Sequence, residues 1–488
     1  MPCTTLLVGK KASYDGSTLM ARNEDAGSGS YESKKFIVVK ADEQPRHYKS
    51  VLSSFEIDLP ENPMRYTAMP NADPKSGIWG EAGFNEANVA MSETETLTSN
   101  ARVLGADPLV KSGIGEEDLL TIVLPYIRSA REGVLRLGSL LEQYGTYEIN
   151  GIGFQDVDEI WWLESIGGHH WIAKRVPDDA YVVMPNQQGI DSFDLADAFS
   201  GQKEHLCSAD LIDFIESNHL NLMMDFEGDL AACTDFDARA AFGSKDDSDH
   251  TYNTPRAWYM LRYFNPNTMK WDGENADYTP VSDDLPWAMT PEHKVTIEDM
   301  KYVLSSYYQG TEYNPYGRGD AKFKGALRPI GINRNNFLAI TQIRPYVPAE
   351  IACVEWISEA SNAFNASVPF YGNVMDTPAY LRDTTEKTTT ENFYWANRIA
   401  GCLADAQFQM TAIHIERYQH RMAAQGTAFL KEFDARYLAE KPANAAEYLT
   451  ECNQAIADFA KEETYGLLSK LIYEVSNGMK NRFSRSDA

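Results

Sequence analysis

Residues 3–25, CTTLLVGKKASYDGSTLMARNED, join an apolar, β-branched run to a second run through Leu19 and Met20, across a turn at Ser13-Tyr14-Asp15-Gly16. Two such runs around turn residues predict an antiparallel hairpin. The end of a returning strand lies beside the start of the outgoing one, so Arg22-Asn23-Glu24-Asp25 is carried back to Cys3 over about 20 residues of sequence. A thiol and a charged cluster are therefore expected at one end of a sheet.

Further short strands are expected at 35–40 (KFIVVK), 89–92, 159–163 (EIWWL), 170–173 and 181–184 (YVVM), with Gly167-Gly168 as a turn. Short strands separated by turns predict antiparallel sheet. Apolar residues at three- and four-residue spacing predict helices at 116–124 and 129–144, around Pro125, at 208–218, and as long helices over 391–439 and 443–477. The polar, Asp-rich stretch 233–267 reads as a surface loop that enters a helix at Pro255, a favoured first-turn residue. No repeat or linker divides the chain, and the elements themselves establish only an α+β class.

Composition narrows the function. Lys and Arg total 44 against 71 Asp and Glu, a net charge of −27, which disfavours nucleic acid as a partner. Nowhere do 18 apolar residues run together, and the N-terminus lacks a basic segment followed by a long apolar one, so we expect a cytoplasmic protein with no membrane partner. Six scattered cysteines without a CxxC pair argue against a disulfide framework and against structural zinc.

Cys3 is the chemical candidate. A thiolate is the nucleophile, a cation such as Arg22 stabilises it, and removal of Met1 and Pro2 would make the Cys3 α-amine the general base. The plain alternative is a buried strand cysteine, the usual fate of a lone thiol. His169-His170 belong to no metal motif, and as consecutive strand residues they would point to opposite faces. Packing or a substrate pocket is the better reading for them, with His170 the pocket candidate. Trp161 and Trp162 would alternate likewise, one in the core and one lining a cleft. No glycine-rich nucleotide loop is present.

The hairpin resembles the start of the N-terminal-nucleophile cysteine hydrolases, most closely the dipeptidase A group, to which secernins and, more distantly, bile salt hydrolases and penicillin V acylases are similar. The resemblance continues through GEAGFNEANVAMSETETL, WWLESIGGHHWIAKRVPDDAYVVMPNQQGIDSFDL and YNTPRAWYMLRYFNP. It implies a four-layer αββα sandwich with additional C-terminal helices. Residues 1–2 would be removed, 3–380 would form the catalytic domain, and 381–488 a helical part packed on it. It also implies Cys3 as nucleophile, Arg22 beside the thiol, Asp25 holding the α-amine, Asn186 as oxyanion donor and Arg256 at the head of a helix. Where bile salt hydrolases supply a second oxyanion asparagine, this chain has Glu93-Thr94-Glu95, so that donor is unassigned. On a strand Glu93 and Glu95 would share a face, where a carboxylate could hold a substrate's free α-amine; a pair of exposed carboxylates is the plain alternative.

The implied activity is hydrolysis of short peptides with a free N-terminus, without metal or organic cofactor. Two alternatives stay open: an amidase or acylase of the same fold, acting on bile salts, penicillin V or acyl-lactones, and a non-catalytic, secernin-like protein. The long C-terminal helices offer a surface for a homo-oligomer, against the plainer reading as solvated helices.

Overall fold

The computed structural model describes residues 3–224 and 226–483, without the side chains of Thr94 and Glu95. Residues 1–2, on which the expected removal bears, lie outside the described residues.

The opening hairpin pairs Thr4–Val8 with Thr18–Asp25, setting Thr4 opposite Asn23 and Thr5 opposite Arg22. Its turn holds Gly16 at φ 87°, in the left-handed region that a residue without Cβ enters freely. The hairpin is central in a seven-stranded antiparallel sheet. The strand order is Ala288–Met289, Tyr181–Met184, Thr4–Val8, Thr18–Asp25, Asn335–Ile343, Cys353–Glu359, Val368–Tyr371. A second, six-stranded sheet runs His205–Cys207, Trp171–Arg175, Ile160–Ser165, Asn150–Gln155, Ala90–Thr96, Ala82–Phe84.

Alternation along the strands divides the core. Leu7, Met20, Val182 and Met184 of the first sheet share one apolar cluster with Ala90, Ile160, Trp162 and Ile172 of the second. A Cβ on Gly153 would overlap the Met20 sulfur, so glycine lets the two sheets approach there. Leu6, Leu19, Ala21 and Val183 instead pack with Trp258, Leu304, Leu449 and Ile456 of the helices. On the other sheet Phe154, Trp161 and Leu163 meet Leu120, Leu137 and Leu141. Trp161 and Trp162 do alternate, as expected. Neither lines a cleft: both faces of their strand are covered, and the two rings are at most 1% exposed.

The strand Asn335–Ile343 is buried at all nine positions, which explains why its sequence carries no polar-apolar alternation and no expectation was attached to it. The long helix expected over 391–439 divides at Gln407 into Phe393–Ala406 and Phe408–Glu440. There the Thr411 hydroxyl donates to the Ala404 carbonyl at 2.9 Å, satisfying an end group of the first helix. The expected loop 233–267 contains the short helices Ala238–Phe242 and Asp249–Tyr252 before Thr254–Phe264. The last helix, Ala445–Asn477, covers the edge strand Val368–Tyr371: Asn453 accepts from Tyr371 N at 2.8 Å and donates to its carbonyl at 3.0 Å.

Candidate active site

Antiparallel register builds the site. Thr5 lies opposite Met184, so two further residues on each strand set Cys3 level with Asn186. Thr5 lies opposite Arg22, and Cys3 and Thr5 share a face, so the Arg22 side chain rises next to the thiol. Arg22 Nη2 donates to Cys3 Sγ at 2.9 Å. The Cys3 backbone N donates to Asn186 Oδ1 at 3.2 Å. Both Cys3 and Arg22 are at most 1% exposed.

Arg256, in the first turn of Thr254–Phe264, closes the arrangement from the helix side. Its guanidinium donates to the Cys3 carbonyl, to Thr4 Oγ1 at 2.7 Å, to Asn186 Oδ1 at 2.7 Å, to Asn253 Oδ1 at 2.8 Å and to the Tyr252 carbonyl at 2.7 Å. Two donors thus converge on Asn186 Oδ1, which identifies that atom as the oxygen and sets the NH2 on the other branch of the amide.

Asp25, at the end of the second strand, is held by Arg328 and Asn335. Glu93 is fully buried: its carboxylate accepts from Glu81 N at 2.8 Å and from Leu120 N. Burial and the nearby Glu81 charge push its carboxyl well above the usual range. The register with Asn150–Gln155 shifts between Ser92 and Glu95. The expectation that Glu93 and Glu95 share a face bears on the Glu95 side chain, which lies outside the described residues.

His169 and His170 sit in the turn before Trp171–Arg175, so strand alternation does not govern them. Both Nδ1 atoms meet the Asp107 carboxylate, at 2.9 and 2.7 Å, and the His170 ring stacks on Phe214 at 3.8 Å. Those contacts do not include Cys3 or Asn186. Among the described residues no group of three or more His, Cys, Asp and Glu is arranged to hold a metal ion, and no helix is long and apolar enough to cross a membrane.

Three charged groups around Arg22 and Glu24 escaped the sequence reading. Arg22 Nη1 donates to Glu81 and Nη2 to Glu116 at 3.1 Å, while Lys34 Nζ lies 2.7 Å from Glu24 and 3.4 Å from Glu81. All five side chains are at most 1% exposed. Burial pushes the Glu81 carboxyl up, but Lys34 and Arg22 outweigh it and hold it below the usual range. Glu24 is pushed up to about 8 by burial and by Glu81, against Lys34. Glu81 does fall inside the GEAGF stretch that carries the resemblance, the one signal that could have marked it.

The model of peptidase family C69 matches residues 2–421. A dipeptidase of Bifidobacterium longum is 54% identical, with all of both chains covered, and a probable dipeptidase A of Streptococcus pyogenes is 53% identical, again over all of both. A probable dipeptidase B of Lactococcus lactis is 46% identical over 99% of this chain and 98% of its own. The resemblance to the dipeptidase A group therefore extends along the whole length, well past the first 270 residues that carry its motifs. On a family match over most of its residues and on relatives of this identity, the chain belongs to peptidase family C69.

Proposed function

We propose that this chain is a cysteine dipeptidase with the αββα N-terminal nucleophile fold, cutting short peptides that carry a free N-terminus. The observation that carries the reading is the convergence on Cys3: Arg22 on its sulfur, Asn186 on its nitrogen and Arg256 on its carbonyl. The names of its relatives support the substrate class.

With Met1 and Pro2 removed, the Cys3 nitrogen becomes an amine whose lone pair takes the thiol proton. The thiolate attacks the scissile carbonyl carbon, and the oxygen that gains charge is held by Asn186 Nδ2. Collapse breaks the C–N bond, and the Cys3 ammonium returns its proton to the leaving amine. Water, deprotonated by the same amine, then cleaves the thioester and frees the acid. Arg22 supplies positive charge beside the sulfur throughout. Asp25, bonded to Arg328 and Asn335 at the end of the second strand, is the carboxylate that would hold the Cys3 amine.

The test is intact mass and N-terminal sequencing of the purified protein, with a dipeptide panel on the same sample. A chain that begins at Cys3, hydrolyses dipeptides and is silenced by Cys3→Ala supports the reading. An active form that keeps residue 1 or 2 overturns the α-amine mechanism. Turnover of N-acyl amides with dipeptides inert would move the chain to the acylases.

A further inference from the structure

We propose that Glu81 is a positioning residue for Cys3, one that fixes the Arg22 guanidinium and sets how much of its charge the thiol feels. The proposal rests on the reading of Cys3 as nucleophile.

Glu81 is held in an unusual way. Its φ is 69°, a left-handed conformation that non-glycine residues rarely adopt, although a glycine, Gly80, stands next to it. Both of its backbone polar groups are pinned by one residue: its N–H donates to Glu93 Oε2 at 2.8 Å, and its carbonyl accepts from Glu93 N at 2.7 Å. Glu93 is itself anchored on Leu120 N. This frame aims a fully buried carboxylate between two cations, Arg22 and Lys34. Glu93, a substrate anchor in the sequence reading, thus braces Glu81.

The guanidinium so held spans two sides. Nη1 faces Glu81, while Nη2 faces the Cys3 sulfur and Glu116. Losing the Glu81 contact frees the rotation of Arg22 that aims Nη2 at sulfur. Losing the Glu81 charge alone leaves the guanidinium less neutralised, and the thiolate more favoured. The titratable and charged groups facing the pair are Glu24 with Arg22 on the second strand, Lys34, Glu93, Glu116 with Glu148 on its backbone N–H, and Arg256 on the Cys3 carbonyl.

The experiment measures the pH dependence of Cys3 alkylation by iodoacetamide in the protein that begins at Cys3, followed through the mass of the N-terminal peptide because the exposed Cys402 would react as well. Glu81→Gln keeps the shape and removes the charge. The alkylation midpoint is expected to fall by about 1.5–2 pH units, since a unit charge about 7 Å from sulfur through an effective dielectric of about 20 acts at that scale. The acid limb of kcat/KM should fall with it. Glu81→Ala, which also loses the Arg22 contact, should lower kcat at least tenfold with KM changed less than threefold. A Glu81→Gln protein that melts earlier with an unmoved midpoint would make Glu81 structural only and overturn the proposal. If Glu81→Gln does not fold, Lys34→Gln serves: it leaves Glu81 less neutralised and should raise the midpoint, and an unmoved or lowered midpoint overturns the proposal. Cys3→Ala separates the two readings. An active Cys3→Ala enzyme defeats the nucleophile assignment, whereas an inactive one beside an unmoved Glu81→Gln midpoint defeats only the role of Glu81.

Discussion

Replacing Asn186 by Asp isolates one half of a side chain. In the structure Asn186 Oδ1 accepts from Cys3 N at 3.2 Å and from Arg256 Nη2 at 2.7 Å. The Asn186→Asp side chain would keep both acceptor roles and strengthen the second, because a carboxylate facing a guanidinium makes a charge-assisted bond. The fold around the site should therefore survive. The other branch changes from an NH2 donor to an oxygen, so the group facing the developing oxyanion can no longer donate. Loss of one such donor costs about 3–4 kcal/mol of transition-state stabilisation, or about 10²–10³ in kcat. The carboxylate charge adds repulsion in a site that is 7% exposed at Asn186, so we expect a loss of at least about 10³. Dipeptide hydrolysis followed by release of free amino acid measures it, with a thermal melt to verify folding. A well-folded Asn186→Asp enzyme within tenfold of wild type would refute the assignment of Nδ2 as oxyanion donor. Asn186→Ala, which lacks the acceptor as well, should lose both activity and melting temperature, and that contrast separates the two branches of the amide.

Two other perturbations follow from buried charges. Arg328→Leu strands the fully buried Asp25 carboxylate with Asn335 as its remaining partner, and should destabilise the protein by about 3–5 kcal/mol in chemical denaturation. A loss below about 1 kcal/mol would show that Asn335 alone suffices to hold that strand end. Asp107 is pushed up by burial, but His170, His169 and their backbone N–H groups outweigh it and hold the carboxyl well below the usual range. A depressed carboxyl stabilises the fold above its unfolded value of about 4, and that contribution is lost as pH falls toward its folded value. Melting curves of wild type and Asp107→Asn should therefore converge below about pH 4, and a difference that stays constant across that range would contradict the reading.

What was legible in the chain was local. The hairpin was readable because its turn and both strands are contiguous, and that contiguity brings Cys3 and Arg22 together before anything else folds. Helix periodicity located Ala130–Tyr144 and Ala445–Asn477 to within a few residues, because one face of each is buried and the other is not. Where both faces are covered the signal vanished, as at Asn335–Ile343, and for the same reason the expected cleft tryptophan is a core residue. Asn186 and Arg256 entered through family resemblance, since nothing in their own neighbourhoods distinguishes them.

By itself, then, the sequence determined the thiol, its position at a strand head and the cation that returns to it, because hairpin pairing depends only on nearby residues. Only the tertiary structure decided that Glu81 and Glu116, 59 and 94 residues from Arg22, share its guanidinium. The same holds for Glu93 bracing Glu81, and for Asp25 facing Arg328 across 303 residues. Which carboxylate meets which cation is set by sheet register and by a shift between Ser92 and Glu95, and neither leaves a periodic trace in the chain. Buried charges are satisfied by partners that pairing brings near in space, at separations where composition and spacing carry no information.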